Sequence, residues 1–526
     1  MIKRLLFLFI SICLLNSFSK AQAFGNEWIS YDQQYHRIKV WNDGVYRISW
    51  STLSAAVPAL ATVDPRNVQL FGRGEELAIH LEGENDGQWN DGDFIEFYGR
   101  KNDGWFDRQF YTSNNAQSNP YYSLFTDTAV YFLTWNNSLS NRRMTVETDQ
   151  DFTTYTAAPY FIRQVVNQVN SNYYFGKTDA NNSTEPEYTS GEGWSGPVFT
   201  APVLNQISNL PSTNFVGTGP AAELKVVYKS ISNAAWFNDH RYQVQLGNAA
   251  ILDSTFEGHG SRIFNATIAA SSLGVSTTPL KFSYLAINNS LNQLVTSNSV
   301  YSNYTFRYPH NFNLENQGTY KMFIPDNGAS TKYLLNISNF NAAASNVWFY
   351  DIANGKRIQA VNQAGIFKVI VPNGNGALKE CLIANEAQFN SITAANIQPI
   401  NYVTGQPGKF TPVRDLNNIK FLIVSHRSLT AEAEAYRNYR SGKFSTGVFY
   451  TDELYDQFAH GIAQHPMAVR NLAYTALSYW TEKPEYLFLL GKSISAHFNR
   501  QDAEHWNQNL VPTFGFPSSD VLLTAV

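Results

Sequence analysis

Three stretches of this 526-residue chain carry side chains able to do chemistry. Gly258-His259-Gly260 sets an imidazole between two glycines, and Cys381 is the only cysteine besides Cys13. An imidazole that removes a thiol proton leaves a thiolate able to attack a carbonyl carbon. The surroundings of this pair predict structural roles instead. "TFEGHGSRIF" reads as a polar turn between β-like runs, and "GALKECLIANEA" places Cys381 beside Leu382 and Ile383 in a buried strand, where a thiol is inert.

The second stretch, "NDGQWNDGDFIEFYG" from Asn85 to Gly99, gathers Asp86, Asp91, Asp93 and Glu96 among glycines. Hard oxygen ligands around tight turns can hold calcium, but the spacing departs from the alternating positions of a calcium loop. A solvated connection into the strand "FIEFYG" is the simpler expectation. The third stretch, "AHGIAQHPMAVRN", holds His460, His465 and Arg470. Polar groups at a helix start can bind an anion or a metal. Here the histidine spacing does not fit one helical face, and Pro466 suits the first helical position, so His465 is expected to cover the helix start.

The elements that must position these groups fall into two regimes. From Glu27 to about Trp135, short aromatic or alternating runs are broken by turn dipeptides. In "HRIKVWNDGVYRISW", Asp43-Gly44 predicts a hairpin. Runs such as "AELKVVYKS", "RYQVQLG", "LKFSYLAI" and "NVWFYDI" continue the pattern to about 400, with little helix between them. Sandwich or jelly-roll architecture is expected. Around "TGQPGKFTPVRDLNN", 404–418, Pro and Gly mark a linker. Beyond it, "KFLIVSH", "TGVFYT" and "EYLFLLGK" read as buried strands. A helix with Thr430 as cap and Gly442 as stop follows the first strand, and a second runs from Pro466 to Trp480 with Val469, Leu472, Ala473, Ala476, Leu477 and Trp480 on one face. This β-α-β-α-β order predicts a parallel sheet covered on both faces. Ligands of such sheets bind beyond the carboxyl ends of the strands, near His426 and the Gly491-Lys492 turn. The final run, "SSDVLLTAV", reads like the next strand.

Composition narrows the setting. A formal charge of -4 gives no reason to expect nucleic acid as a partner, and charged and aromatic residues each make up 15%. Lys3 and Arg4 precede the apolar stretch Leu5–Leu15, and Ala21-Gln22-Ala23 follows with small residues where a leader peptidase reads them. Residues 1–23 are therefore expected to be a signal peptide, with Cys13 inside it. No later run has the length of a membrane span. The expected organisation is a β domain over 24–150, a second β-rich domain over 151–403, the linker 404–418 and an α/β domain over 419–526.

The α/β stretch resembles the start of the catalytic domain of the gingipain family of cysteine peptidases, and most closely the PorU-type sortases of the type IX secretion system. The likeness rests on a strand ending in Ser-His, then "YRNYR", "DELYDQFAHGI", "HPMAVRN", "KPEYLFLLG" and "PTFGFPSSD", in that order. In the β-rich part, "GVYRISWSTL", "VQLFGRGEEL", "DGDFIEFYGR" and "YFLTWN" carry it. The resemblance implies a caspase-like fold, peptide-bond hydrolysis or transfer by a Cys nucleophile and a His base, exported cargo and outer-membrane components as partners, and a place at the cell surface; no cofactor is assigned. It sets the catalytic His and Cys beyond the point matching Val526, so no catalytic residue is assigned within these residues. Lys492 stands where the family often has Asp. The alternative is a non-catalytic surface protein binding glycan or peptide.

Overall fold

The computed structural model describes residues 24–525 apart from 114, 178–183, 235–237, 375 and 377, without the side chains of 204–207. The expected leader, 1–23, lies outside the described residues.

The first sandwich pairs two antiparallel-rich sheets. One has the order Ile397–Pro399, His36–Val40, Ala129–Trp135, Val68–Gly72, Glu75–Glu76, and the other Asn390–Ser391, Gly44–Ser49, Phe94–Gly99, His80–Glu82. Alternation in "HRIKV" and "FIEFYG" turns Ile38, Val40, Ile95 and Phe97 inward, where they meet Leu70, Leu133 and Tyr46. Asp43-Gly44 does not close a hairpin. The strands on either side of it enter different sheets, and Gly44, at φ +149, passes the chain across the sandwich edge with Asn390 Nδ2 2.8 Å from where a Cβ would stand. Strands 390–391 and 397–399 return to this sandwich from far along the chain.

A ten-stranded sheet forms the spine of the middle of the molecule. Its one half, including Ala222–Ser230 and Asn298–His310, packs on the four-stranded sheet Val203–Pro211, Thr277–Tyr284, His240–Leu246, Ala249–Phe256. Its other half, including Thr319–Ile324, Lys379–Asn385 and Val347–Asp351, packs on the sheet built around Lys332–Phe340 and Ile366–Pro372. Two sandwiches thus share one continuous sheet.

The α/β part carries a parallel sheet in the order Thr446–Tyr450, Phe421–Ser425, Tyr486–Leu490. Helix Met467–Tyr479 buries Val469, Leu472, Ala473 and Ala476 against Leu422 and Val424, while Leu477 stays 36% exposed. Helix Thr430–Ser441 lies on the opposite face, Tyr436 against Phe488. Gly442 caps it as expected, but Thr430 is its first residue rather than its cap: a 3-10 turn over Arg427–Leu429 comes first, and the Thr430 hydroxyl donates to Arg427 O at 2.7 Å. The run after Ser519 forms a 3-10 turn, Val521–Leu523, rather than a strand, and buries Leu523 in the same core.

This α/β part is fused to the β-rich region by one apolar core. Phe106, Phe110, Phe125 and Tyr188 from β-region loops interdigitate with Phe458, Ile462, Val469 and Trp480. The 404–418 segment packs as well: Phe410 joins Trp28 and Tyr35, and Val413 O accepts from the Trp480 indole at 2.8 Å.

Candidate functional site

At the carboxyl ends of the three parallel strands, local bonds build a floor. Ser425 Oγ donates to Leu490 O at 2.9 Å, tying two strand ends together. Leu510 N and Val511 N donate to Lys492 O at 2.9 and 3.2 Å, and Ser493 Oγ donates back to Val511 O at 2.8 Å. The 510–511 segment thereby lies across the turn after "YLFLL". Gly491 permits the approach, since a Cβ there would stand 2.8 Å from Val511 Cγ2. Lys492 reaches the Gln508 side chain. His426 projects at the rim, with Nδ1 accepting from Ser428 N at 3.2 Å and Ser428 Oγ 2.8 Å away, so it caps the 3-10 turn. Arg427 is fixed by Asp452 at 2.6 Å over the Tyr450 ring. Among the described residues no thiol lies on this floor.

The edge of the floor is open. Among the described residues strand Tyr486–Leu490 pairs only with Phe421–Ser425, and a groove of about 540 Å³ runs beside it between Ala473, Leu477, Leu487, Leu489, Val521 and Thr524.

The structure does not bring His259 and Cys381 together. His259 sits in the turn before Gly260–Ile268, an edge strand of the long sheet, whereas Cys381 lies five strands away, roughly 24 Å at about 4.8 Å per strand. The Cys381 thiol is fully buried with Met322, Phe349 and Ile383, and burial raises its pKa well above the ordinary value.

The acidic stretch divides. Asp86 accepts from Gln88 N and Asn90 Nδ2, and Asp93 from Asn90 N, which is turn chemistry. Glu96 turns away into the core, where Arg47 and Arg357 donate at 2.8 and 2.9 Å and Tyr350 at 3.0 Å. With its oxygens committed to two guanidiniums, it is unavailable to complete a calcium site with Asp86, Asp91 and Asp93. Among the described residues no three acidic, His or Cys side chains converge to hold a metal.

His460, His465 and Arg470 are structural. His465 accepts from Met467 N at 3.3 Å, covering the helix start as expected, and stacks on Phe110 at 4.7 Å. Its Nε2 lies 3.3 Å from the buried carboxylate of Asp107, which accepts from Leu124 N at 2.6 Å. Burial lowers the His465 pKa, and Asp107 opposes the shift. His460 packs edge-on to Phe106 at 4.9 Å. Arg470 donates to Tyr474 Oη and Ala525 O. Sequence reasoning missed the docking set formed by Arg37, Tyr402, Glu453 and Asp456, whose only signal is the run of acids in "TDELYDQF".

The sequence model of Peptidase family C25 matches residues 414–526. The fold is similar to that of dimeric latent PorU from Porphyromonas gingivalis, with a TM-score of 0.58 at 14% identity, over 94% of this chain and 45% of that one. The chain thus spans less than half the length of that PorU chain. The carbohydrate-binding module CBM36, solved with calcium and xylotriose, aligns at a TM-score of 0.17 and 14% identity over 27% of this chain and 98% of that one. The ANXUR2 extracellular domain from Arabidopsis thaliana aligns at 0.17 and 10% identity over 53% and 79%. Superpositions that poor carry no argument. No curated protein matches the sequence. The expected resemblance and fold class hold: a β-rich region with a PorU-like fold leads into a parallel-sheet domain of the C25 type. Among the described residues no helix is long and apolar enough to cross a membrane.

Proposed function

We propose that this chain is the front part of an exported cysteine-type endopeptidase or sortase of the gingipain family, acting on secreted cargo in type IX secretion at the cell surface. One observation carries the reading: the Peptidase family C25 match falls on the domain whose strand ends form the open floor, within a chain of PorU-like fold. In this reading the catalytic His and Cys come from sequence following position 526, and further strands cover the Tyr486–Leu490 edge. The His takes the thiol proton, and the thiolate attacks the scissile carbonyl. The cargo's amine leaves with that proton, and the acyl group passes to water or to an acceptor amine. His426 and Lys492 would then border bound peptide without reacting.

Two measurements on protein from its source cell test the proposal. The intact mass should exceed 59.2 kDa, and cleavage of exported cargo should stop on thiol alkylation that leaves Cys381 unmodified. A native mass slightly below 59.2 kDa, with no thiol-dependent cleavage, would sink it and leave the glycan- or peptide-binding alternative.

A further inference from the structure

Phe24 is the first described residue, and it is 3% exposed. Its ring meets Tyr479 edge-on at 5.7 Å, at the end of helix Met467–Tyr479, where the Arg414 guanidinium lies 3.9 Å over the same tyrosine. Gly25, at φ +96, presses on the end of helix Thr451–Phe458 so closely that a Cβ would stand 2.9 Å from Phe458 O. Trp28 closes the turn, its indole donating to Gly25 O at 3.0 Å and its rings buried with Phe71, Phe132 and Phe410 in the first sandwich. Residues 24–28 are therefore a strap, with one end in the α/β domain and the other in the first β domain.

Glu27 sits on this strap with both carboxylate oxygens turned back on its start. Oε1 accepts from Phe24 N at 2.5 Å and Oε2 from Gly25 N at 2.9 Å. Among the described residues no basic side chain pairs with Glu27. A carboxylate that spans the Phe24 and Gly25 nitrogens, one oxygen on each, and has no cation beside it could take an ammonium at Phe24 N in place of the amide donor. Ala21-Gln22-Ala23 is the leader-peptidase sequence immediately before it.

We propose that Glu27 is the receptor for the α-ammonium of Phe24, created when a leader peptidase cuts the Ala23–Phe24 bond, and that this ion pair seats the strap between the two domains. The inference rests on the export reading and is independent of peptidase activity. Hydrolysis adds one water across the amide. Ala23 departs with a carboxylate, and Phe24 keeps the nitrogen as an amine, which takes a proton at neutral pH. A single neutral N–H donor becomes an ammonium, so the contact to Glu27 becomes charge-assisted.

The protein is isolated as its source cell exports it, wild type and Glu27→Gln, and its amino-terminal peptide is identified by mass. The α-amine is then acetylated with a limiting anhydride in the folded protein and in urea. The first residue should be Phe24, and its amine should react about two- to fivefold more slowly when folded, the range of a surface ion pair's worth. Glu27→Gln should remove most of that protection, which burial of the Phe24 ring alone would leave in place. An amino-terminus elsewhere would overturn the leader assignment and the inference with it. A Phe24 amine that reacts equally fast folded and unfolded, or whose protection survives Glu27→Gln, would overturn the anchor while leaving the leader assignment intact.

Discussion

The Nε of Arg37, on the first strand of the first sandwich, lies 3.2 Å from Oδ2 of Asp456, which is wholly buried on helix Thr451–Phe458 of the α/β domain. Tyr402 donates to the same oxygen at 2.5 Å. Burial lifts the Asp456 pKa from 3.8 to about 6, outweighing the attraction of Arg37, while nearby Asp452 adds to the lift and Lys39 opposes it. Because the folded pKa is raised, the protonated acid is the favoured buried form. Its contribution is complete below pH 3.8 and is lost as pH rises through 6. The ion pair with Arg37 is what makes the ionised form tolerable at higher pH.

Removing the cation should therefore hurt most where the acid is ionised. Arg37→Ala is expected to destabilise the α/β domain by about 3 kcal/mol at pH 8, the cost of a buried charge left unpaired, and by clearly less at pH 5. Asp456→Asn should cost less than Arg37→Ala at pH 8, because the Arg37 side chain it leaves unpaired is 25% exposed whereas Asp456 is wholly buried. Thermal unfolding of both variants at the two pH values checks this. An equal loss for Arg37→Ala at pH 5 and pH 8 would contradict it.

His460 acts in the opposite sense. Burial, with a smaller push from His465, lowers its pKa from 6.5 to about 4. A depressed folded pKa means that its contribution is present above pH 6.5 and lost as pH falls towards 4. Replacing it should flatten acid unfolding in that window by about 2 kcal/mol, after allowing for its partial exposure. His460 has φ +51, so Asn is the replacement the backbone accepts best. His460→Asn and wild type, melted at steps from pH 7 to pH 4, should converge towards the acid end.

The helix that carries Asp456 shows where sequence reading stops. "KFLIVSH", "TGVFYT" and "EYLFLLGK" are apolar on both faces, so a parallel sheet follows from composition alone, although only Phe421–Ser425 is fully buried and the strands beside it, Thr446–Tyr450 and Tyr486–Leu490, stay half-exposed. Helix Thr451–Phe458 instead buries Glu453, Asp456 and Gln457, residues that read as solvent-facing. Their partners Thr411, Arg37 and Tyr402 are supplied by distant parts of the chain, and no local period encodes them. The long sheet is legible strand by strand but not as one object. Thr319–Ile324 pairs with Lys379–Asn385 across most of a sandwich, and nothing in either run specifies that register. Asp43-Gly44 carries a valid turn signal, yet it cannot reveal that the two strands part into different sheets.

Glu96 joins the first and third sandwiches through Arg47 and Arg357, and the Arg357 guanidinium stacks 3.3 Å over the Trp348 ring. Glu96→Ala should cost about 3–5 kcal/mol, because it strands the Arg357 guanidinium, only 4% exposed, while Arg47 keeps Glu386 at 2.7 Å. Glu96→Ala with Arg357→Met should recover part of the loss by removing the orphaned charge. A double variant less stable than Glu96→Ala alone in denaturant titration would argue against charge burial as the cause.

Cys381 should behave as a core side chain. In the folded protein it should resist thiol reagents at pH 8, and it should react fully in denaturant. Cys381→Ala should cost about 1–2 kcal/mol for the small cavity it leaves and should leave any cargo cleavage unchanged. Rapid labelling of Cys381 under native conditions would require an opening of the Met322–Phe349 core that the packing does not provide.

The edge strand Tyr486–Leu490 gives a test of the proposed catalytic domain that needs no substrate. In a parallel strand, alternate amides point to each neighbour, so pairing with Phe421–Ser425 alone protects only one set. Tyr486 is 47% exposed and Leu477 36%, so apolar side chains border this unpaired edge. If further strands of the same protein close this side, native protein should show slow hydrogen exchange at both sets of amides from Leu487 to Leu490. Leu477→Glu should then destabilise it by about 2 kcal/mol or more, as for a charge pushed into a core. Alternating protection, together with a neutral Leu477→Glu, would mean that the edge is open in the native protein and that no caspase-like sheet is completed there.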